Sequence, residues 1–245
     1  MNARERTAGV IVIGNEILSG KVTDTNSPFL AEELRKLGVA LRRITTIPDE
    51  LDVIASTVRE FHESFDYVFT SGGVGPTHDD VTIEGIARGL GRRVIQHPEM
   101  VNNLRRFLRG ELNAAHLKMA EVPEGAELIQ DEKLGFPTIR VENIYILPGI
   151  PEILRSKFVG LRHLFADEPY HLKVIYTCFS ESMIAESLNQ ALAEFPDIML
   201  GSYPKMGDPD YLVKLTMESK DGDYVQRAFD RLLTLLPAGS VVRTE

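Results

Sequence analysis

The chain has 245 residues, a formal net charge of −9 and a single cysteine. A length above ~200 residues favours two unequal domains over one compact core. The acidic balance argues against a general nucleic-acid-binding surface, because neutralising backbone phosphates needs clustered Lys and Arg. Cys178 has no partner for an internal disulfide, and the apolar run Val10–Ile13 is too short for a secretory signal or a membrane span. We therefore expect a cytoplasmic protein that binds neither nucleic acid nor membranes.

Strand and helix patterns alternate along the first two thirds of the chain. The continuous β-branched run Val10–Ile13 predicts a strand buried on both faces, and Tyr67–Thr70 predicts a second buried strand. Further strand patterns lie at Val39–Ile47, Thr138–Val141 and Ile144–Leu147. Apolar residues at helical spacing predict helices from Ser27 to Gly38, after Asp49, over Asp80–Leu90, near Glu99–Arg109 and after Pro151. The alternation predicts a doubly wound, three-layer, mostly parallel α/β sheet.

Two of these helices have recognisable start signals. Ser27 followed by Pro28 is typical of an N-cap and a first helical residue, and Asp49 can cap the next helix. The segment Pro123–Pro137 is broken up by Pro and Gly residues.

The last third of the chain has a different order of elements. Its pattern predicts strand His171–Cys178, helix Glu181–Phe195, strands Ile198–Tyr203 and Tyr211–Met217, helix Tyr224–Leu236 and strand Ser240–Val242. This βαββαβ order predicts a small ferredoxin-like α+β domain. We place the two domains at residues 7–168 and 169–245.

Three loops are expected at the edge where the parallel strands end, which is where such sheets bind ligands. They are Gly14–Lys21, Pro48–Glu50 and Ser71–Asp80. In the third loop, closely spaced glycines let the backbone approach a ligand, and the following helix offers N–H groups and a positive dipole end. This combination predicts a binding site for an anion.

Two carboxylates, Asp79 and Asp80, follow this glycine loop directly. They would repel a phosphate unless a cation lies between them, so we expect a divalent metal such as Mg²⁺, Mn²⁺ or Co²⁺. A purely structural interpretation competes with this one, because Thr77 and Asp80 also fit a capping box at a helix start. Glu16 and Asp49 add weight to the functional interpretation only because their loops share the same edge. His78 has no Cys or His nearby at zinc spacing.

Several motifs, taken in order, resemble one family. They are Gly14-Asn15-Glu16-Ile17-Leu18-Ser19-Gly20 with Asp24-Thr25-Asn26, then Gly72-Gly73-Val74-Gly75-Pro76-Thr77-His78-Asp79-Asp80-Val81-Thr82, and Leu147-Pro148-Gly149-Ile150-Pro151. Together they resemble the MoaB/Mog-type molybdopterin-binding fold. Within it the chain is similar to the CinA-like proteins and to the N-terminal molybdopterin-binding-like domain of eukaryotic FAD synthase. Gly201–Pro204 and Tyr211–Thr216 resemble the FAD-synthase branch in particular.

The resemblance implies a pterin- or nucleotide-binding cleft with acidic residues near a metal. It assigns Asp80, Asp49 and Glu16 as catalytic residues, with Asp80 and Asp49 as metal ligands. The ligand-binding residues that we assign are Gly14, Asn15, Ser71, Gly72, Gly73, Gly75, Pro76, Thr77, Pro148 and Gly149. Family likeness also suggests a homo-oligomer.

Two departures from the family pattern limit what is carried over. The sequence ends at Glu245 without the C-terminal amidohydrolase domain of full-length CinA or the nucleotidyltransferase domain of FAD synthase. We therefore expect neither deamidation of nicotinamide nucleotides nor FAD synthesis. Asn15 stands where relatives often have Thr or Asp.

Three functions fit these observations. The first is metal-dependent hydrolysis of the pyrophosphate in a dinucleotide such as FAD or ADP-ribose. The second is molybdenum-cofactor biosynthesis, in which the protein binds or adenylylates molybdopterin. The third is a non-catalytic ligand sensor, because one fold supports many functions. The sequence alone does not rank the first two, whereas the resemblance to the FAD-synthase branch favours pyrophosphate hydrolysis.

Overall fold

The computed structural model describes residues 4–108, 111–130, 136–205, 207 and 209–245. The chain divides between Asp167 and Glu168 into two compact units. Within the described ranges, no helix is both long enough and apolar enough to cross a membrane.

The first unit contains alternating strands and helices. Its strands are β1 (Thr7–Ile13), β2 (Ala40–Ile47), β3 (Tyr67–Ser71), β4 (Val94–Gln96), β5 (Glu121–Pro123), β6 (Glu127–Ile129), β7 (Thr138–Val141) and β8 (Ile144–Leu147). Its helices are α1 (Asn15–Leu18), α2 (Asn26–Lys36), α3 (Leu51–Ser64), α4 (Thr82–Gly89), α5 (Pro98–Leu108), α6 (Ala114–Lys118) and α7 (Pro151–Leu161), with a 3₁₀ turn at Arg162–Leu164.

Six of these strands form one sheet in the order β2-β1-β3-β8-β7-β6. The first four are mutually parallel, whereas β7 pairs antiparallel with β8 and β6 pairs antiparallel with β7. Ser71 pairs with Val12 and with Leu147, and Ile13 pairs with Ile47. The four parallel strands therefore end at the same edge, and the prediction of a doubly wound, mostly parallel sheet is confirmed.

Both faces of this sheet are covered, as the continuous apolar run of β1 requires. Val10 and Val12 pack on one side with residues of α2 and α7. Ile11 and Ile13 pack on the other side with residues of α3 and α4. The three layers follow directly from this alternation of side chains along the strand.

The second unit contains β9 (His171–Thr177), α8 (Glu181–Glu194), β10 (Met199–Pro204), β11 (Val213–Ser219), α9 (Gly222–Leu235) and β12 (Val241–Thr244). Its sheet is antiparallel, in the order β10-β11-β9-β12, and a separate core joins it to α8 and α9. This confirms the ferredoxin-like prediction. The two segments that resemble the FAD-synthase branch, Gly201–Pro204 and Tyr211–Thr216, lie next to each other, since Gly201 pairs with Thr216.

The starts of α2 and α4 differ from the sequence prediction. Helix α2 begins at Asn26, because the Asp24 carboxylate accepts the N–H groups of Asn26 and Ser27 at 2.9 and 3.1 Å. Ser27 is therefore inside the helix and is not its cap. Helix α4 begins at Thr82 rather than Asp80.

Some elements were not predicted at all. They are the short helices α1 and α6, the short strand β6, and the two-stranded ribbon of β4 and β5. Each is shorter than the window over which hydrophobic periodicity can be recognised. The predicted end of α5 at Arg109 lies outside the described residues.

The core on the α2 and α7 side centres on Phe158, whose side chain is fully buried. Its ring lies 5.5 Å from that of Phe69 and 5.6 Å from that of Phe165. We predict that Phe158→Ala lowers the free energy of unfolding by about 3–5 kcal/mol, since it removes a large buried ring and leaves a cavity. Val159→Ala, next along the helix and 44% exposed, should cost about 0.5 kcal/mol or less. Urea unfolding of both variants measures the difference, and equal losses would contradict the assignment of the core.

Candidate functional site

The first and second loops are tied together at the sheet edge. The Gly14 N–H donates to the carbonyl of Ile47 at 3.1 Å, and the Asn15 N–H donates to the Asp49 carboxylate at 2.8 Å. The prediction that Asp49 caps α3 is therefore wrong. Glu50 holds the N-cap position without a side-chain bond, because Asp49 is turned towards the first loop.

At this edge the glycine loop passes very close to neighbouring backbone and side-chain atoms. Gly72 has φ +107°, and a Cβ atom on it would lie 2.1 Å from the carbonyl oxygen of Ile13. Gly73 has φ +64°, and its Cβ would lie 2.2 Å from the hydroxyl of Thr82 and 3.6 Å from the Asp49 carboxylate. Both positions need glycine, because other residues rarely adopt positive φ and have no space here.

Thr82 fixes the loop from the start of α4. Its buried hydroxyl donates to the carbonyl of Gly72 at 2.9 Å, and its N–H donates to the carbonyl of Gly73 at 3.1 Å. The first helical residue thus fastens the two strained glycines to the helix N-terminus.

The end of the loop folds into a turn of its own. The Thr77 N–H donates to the Asp80 carboxylate at 2.8 Å, and the Asp80 N–H donates to the Thr77 carbonyl at 3.3 Å. The Thr77 hydroxyl lies 2.6 Å from Asp79 and 2.5 Å from Asp80, and its hydrogen bond lowers the pKa of the Asp79 carboxyl. The predicted capping box is therefore replaced by a turn that ends before α4 begins.

One pocket opens beside the loop, and we call it the Lys118 pocket. Its lining includes Gly73, Gly75, His78, Asp80, Glu84 and Lys118. Lys118 reaches it from α6, and its ammonium group donates to the carbonyl of Thr77 at the tip of the loop. The pocket thus brings together glycine backbone, a carboxylate and a cation.

A second pocket opens on the other side of Gly72, and we call it the Asn26 pocket. Its lining includes Glu16, Asp24, Asn26, Ser71, Gly72 and Gly149. The Asn26 side chain joins two of the predicted residues, since its Nδ2 donates to the Ser71 hydroxyl at 2.9 Å and to the Gly149 carbonyl at 2.8 Å. The glycine loop therefore separates two pockets.

The three predicted catalytic carboxylates occupy different places. Asp80 lines the Lys118 pocket, Glu16 lines the Asn26 pocket, and Asp49 is bound to the first loop. Among the residues that the structure describes, no three Asp, Glu, His or Cys side chains group closely enough to hold a metal ion. The carboxylates do not form a metal cage, but Asp80 suits Mg²⁺, which binds through one or two carboxylates plus the phosphates of its ligand.

The other predicted ligand residues lie on the same edge. Asn15 starts α1, Pro76 lies within the glycine loop, and Pro148 lies between β8 and α7 beside Gly149. Gly149 comes close to the loop itself, since its Cβ would lie 3.4 Å from the Cα of Gly72.

Sequence analysis missed two polar residues of these pockets. Asn26 belongs to the motif Asp24-Thr25-Asn26 but was given no role there. Lys118 belongs to no motif, because only the fold brings α6 to a loop 41 residues earlier in the chain.

Comparison with known proteins defines the class. A model described as a probable molybdopterin binding domain matches residues 9–163, and one described as the middle domain of FAD synthase matches residues 169–245. The chain belongs to the family of probable molybdopterin-binding domains, as the resemblance of its motifs predicted.

Three relatives show the range of this likeness. A protein of Archaeoglobus fulgidus is 36% identical over 93% of this chain and 96% of its own length. A Caenorhabditis elegans protein named probable FAD synthase is 33% identical over 98% of this chain, which spans about half (51%) of that relative. The crystal structure of CinA from Thermoplasma acidophilum, whose title gives its function as unknown, is 30% identical, with a TM-score of 0.62 over 66% of this chain and 99% of that one.

The glycine loop makes a specific prediction about Gly73. Gly73→Ala should lower the free energy of unfolding by about 2–5 kcal/mol, since it adds a clash with Thr82 to the strain of positive φ. The matched control is Gly91→Ala, whose φ of +66° is similar but whose Cβ meets no atom within 4 Å. The control should cost about 1–2 kcal/mol. Chemical unfolding compares them, and an equal cost would show that the contact with Thr82 is unimportant.

Proposed function

We propose that this protein binds a phosphorylated dinucleotide, of the FAD or ADP-ribose type, on the glycine loop and hydrolyses its pyrophosphate with a divalent metal ion. The observation that supports this proposal is the composition of the Lys118 pocket. Glycine backbone, a lysine and an aspartate line one pocket beside a helix N-terminus.

The glycine loop and Lys118 account for binding. Backbone N–H groups and a helix N-terminus attract a phosphate through their partial positive charge. The Lys118 ammonium group adds a full positive charge, and it has three N–H donors, so its bond to Thr77 leaves capacity for a ligand oxygen. This cation offsets the charge of Asp79 and Asp80, which would otherwise repel the phosphate.

Asp80 accounts for the chemical step. Its carboxylate is held by Thr77 in the pocket that the phosphate would enter, so it is oriented before the ligand arrives. A divalent ion carried by the pyrophosphate and held by Asp80 would polarise a phosphoryl oxygen and make bound water a stronger nucleophile. Asp49 lies close to Gly73, so it is a second carboxylate near the glycine loop.

The relatives support a dinucleotide as the ligand. The likeness to the C. elegans protein extends over nearly the whole of this chain, and that relative is named for FAD. The second unit matches the middle domain of FAD synthase, which is consistent with a flavin-related ligand.

Binding of molybdopterin is the second candidate function, because the family that covers residues 9–163 is described by that ligand. The Lys118 pocket can hold the phosphate of molybdopterin as well as that of a dinucleotide. Loss of the protein should then lower molybdoenzyme activity in the cell, whereas full activity in its absence would argue against this candidate.

The Asp80→Asn variant tests the catalytic role. With Mg²⁺, Mn²⁺ or Co²⁺ we expect the wild type to release AMP from FAD or ADP-ribose. The variant should lose at least about 100-fold in kcat, because a neutral amide no longer holds the ion. Its amide oxygen still accepts the Thr77 N–H, so the melting temperature should stay close to that of the wild type.

The matched control is Asp79→Asn, which changes the neighbouring carboxylate, whose side chain is 62% exposed. It should retain most of the activity, since Asp79 does not line the Lys118 pocket. Equal losses in both variants would mean that only the net charge of the loop matters. If the wild type is stabilised by FAD but releases no AMP with any of the three metals, the protein is a binding protein and hydrolysis is ruled out for this ligand.

A further inference from the structure

The side chain of Asn26 has a fixed orientation. It is only 6% exposed, and its Nδ2 donates to the Ser71 hydroxyl and to the backbone carbonyl of Gly149. A carbonyl oxygen can only accept, so the nitrogen of the amide must face Gly149. The carbonyl oxygen, Oδ1, must therefore point the other way.

No residue that the structure describes donates a hydrogen bond to this oxygen. Within the described part of the chain, Oδ1 of Asn26 is enclosed and receives no hydrogen bond. A buried acceptor without a partner is unfavourable, because it has lost its hydrogen bonds to water without replacement. Asn26 lines the Asn26 pocket, so a donor that reached Oδ1 from that pocket would remove this penalty.

Asn143, a structural asparagine, shows the contrast. Its Nδ2 donates to the carbonyls of His62 and Phe65 at 3.1 and 2.7 Å, as that of Asn26 donates to two acceptors. Its Oδ1, however, lies 2.6 Å from Nδ1 of the His62 ring. Both ends of Asn143 are satisfied within the protein, whereas only one end of Asn26 is.

The rest of the Asn26 pocket favours a flat ring that carries N–H donors. Its apolar lining includes Ile17, Val22 and Pro151, which can contact the face of a ring. Its charged lining residues, Glu16 and Asp24, are carboxylates and hence hydrogen-bond acceptors.

We propose that the Asn26 pocket is a second subsite, which binds the N–H edge of a nitrogen heterocycle, and that the side-chain carbonyl of Asn26 accepts a hydrogen bond from that edge. The inference rests on the proposed function in one respect, namely that the phosphates of the same ligand occupy the Lys118 pocket. Gly72 lines one pocket and Gly73 the other, so a ligand that crosses the loop reaches both. Asn26 then recognises the ring, and the glycine loop recognises the phosphates.

The test compares ligands with and without a ring. The dissociation constants of FAD, GDP and inorganic pyrophosphate are measured by titration calorimetry of the full chain without added divalent metal, so that the proposed hydrolysis does not consume FAD during the titration. The flavin of FAD and the guanine of GDP both present ring N–H groups, and the adenine of FAD presents an exocyclic amino group. Tighter binding of GDP assigns the subsite to guanine, and tighter binding of FAD assigns it to one of the two rings of FAD. Asn26→Ala should weaken the ring ligand that the wild type prefers by about tenfold or more, since a site built to hydrogen-bond a group depends on that bond. Its affinity for pyrophosphate should change less than about twofold.

Two further variants separate recognition from stability. Asn143→Ala removes an asparagine that also bonds two acceptors, so it should lower the melting temperature without changing any of the three affinities. Ser71→Ala removes one of the bonds that orient Asn26 and keeps Oδ1 in place. Ser71→Ala should cause a smaller loss of affinity, again confined to the ring ligand. If Asn26→Ala does not fold, Ser71→Ala takes its place as the test.

The outcomes distinguish this proposal from the proposed function. An equal loss of affinity for pyrophosphate and for the ring ligand would overturn the subsite, because Asn26 would then only support the loop. A wild type that binds FAD or GDP no more tightly than pyrophosphate would also overturn it, while the phosphate site would stand. Ring-specific loss in the titration, together with no release of AMP in the assay with metal, would support the subsite and refute the hydrolase. If the wild type binds none of the three probes, both proposals fail.

Discussion

The arrangement of the site depends on the close contact between Gly72 and the end of β1. A side chain at Gly72 would collide with the Ile13 carbonyl, and a Cβ atom on Gly149 would lie 3.4 Å from the Cα atom of Gly72. The loop can cross the sheet edge only as bare backbone, held down by the hydroxyl of Thr82. Because the loop lies there, it separates the Asn26 pocket from the Lys118 pocket. A phosphate site and a ring site can therefore belong to one ligand.

Charge is the second constraint. The chain has a net charge of −9, and the glycine loop ends in two aspartates, so a phosphorylated ligand needs local positive charge. Backbone N–H groups, the start of α4 and the ammonium group of Lys118 supply it within the Lys118 pocket. A divalent ion that arrives with the ligand would increase this positive charge. The described residues form no complete metal site of their own, so Asp80 would hold the ion together with the phosphates of the ligand.

Local patterns predicted the fold well, but they did not predict which residues meet. The apolar run of β1 and the alternation of strands and helices were sufficient for the three layers, and the glycines located the ligand edge. Helix starts were less accurate, because Asp49 can cap a helix or bond across the site, and its partner, Asn15, is 34 residues away. Lys118 could not be found from the sequence, since its short helix has no motif. Asn26 belonged to a recognised motif, yet its unpaired oxygen is visible only in three dimensions.

The central claim is that phosphate binds to the backbone of the glycine loop. Backbone amide NMR of the ¹⁵N-labelled chain, titrated with inorganic pyrophosphate and Mg²⁺, tests it most directly. We predict that the largest chemical-shift changes occur at the amides of Gly73 and Gly75, with smaller changes near Lys118 and none in β9–β12. Shifts that are absent from the glycine loop while pyrophosphate binds elsewhere would contradict it.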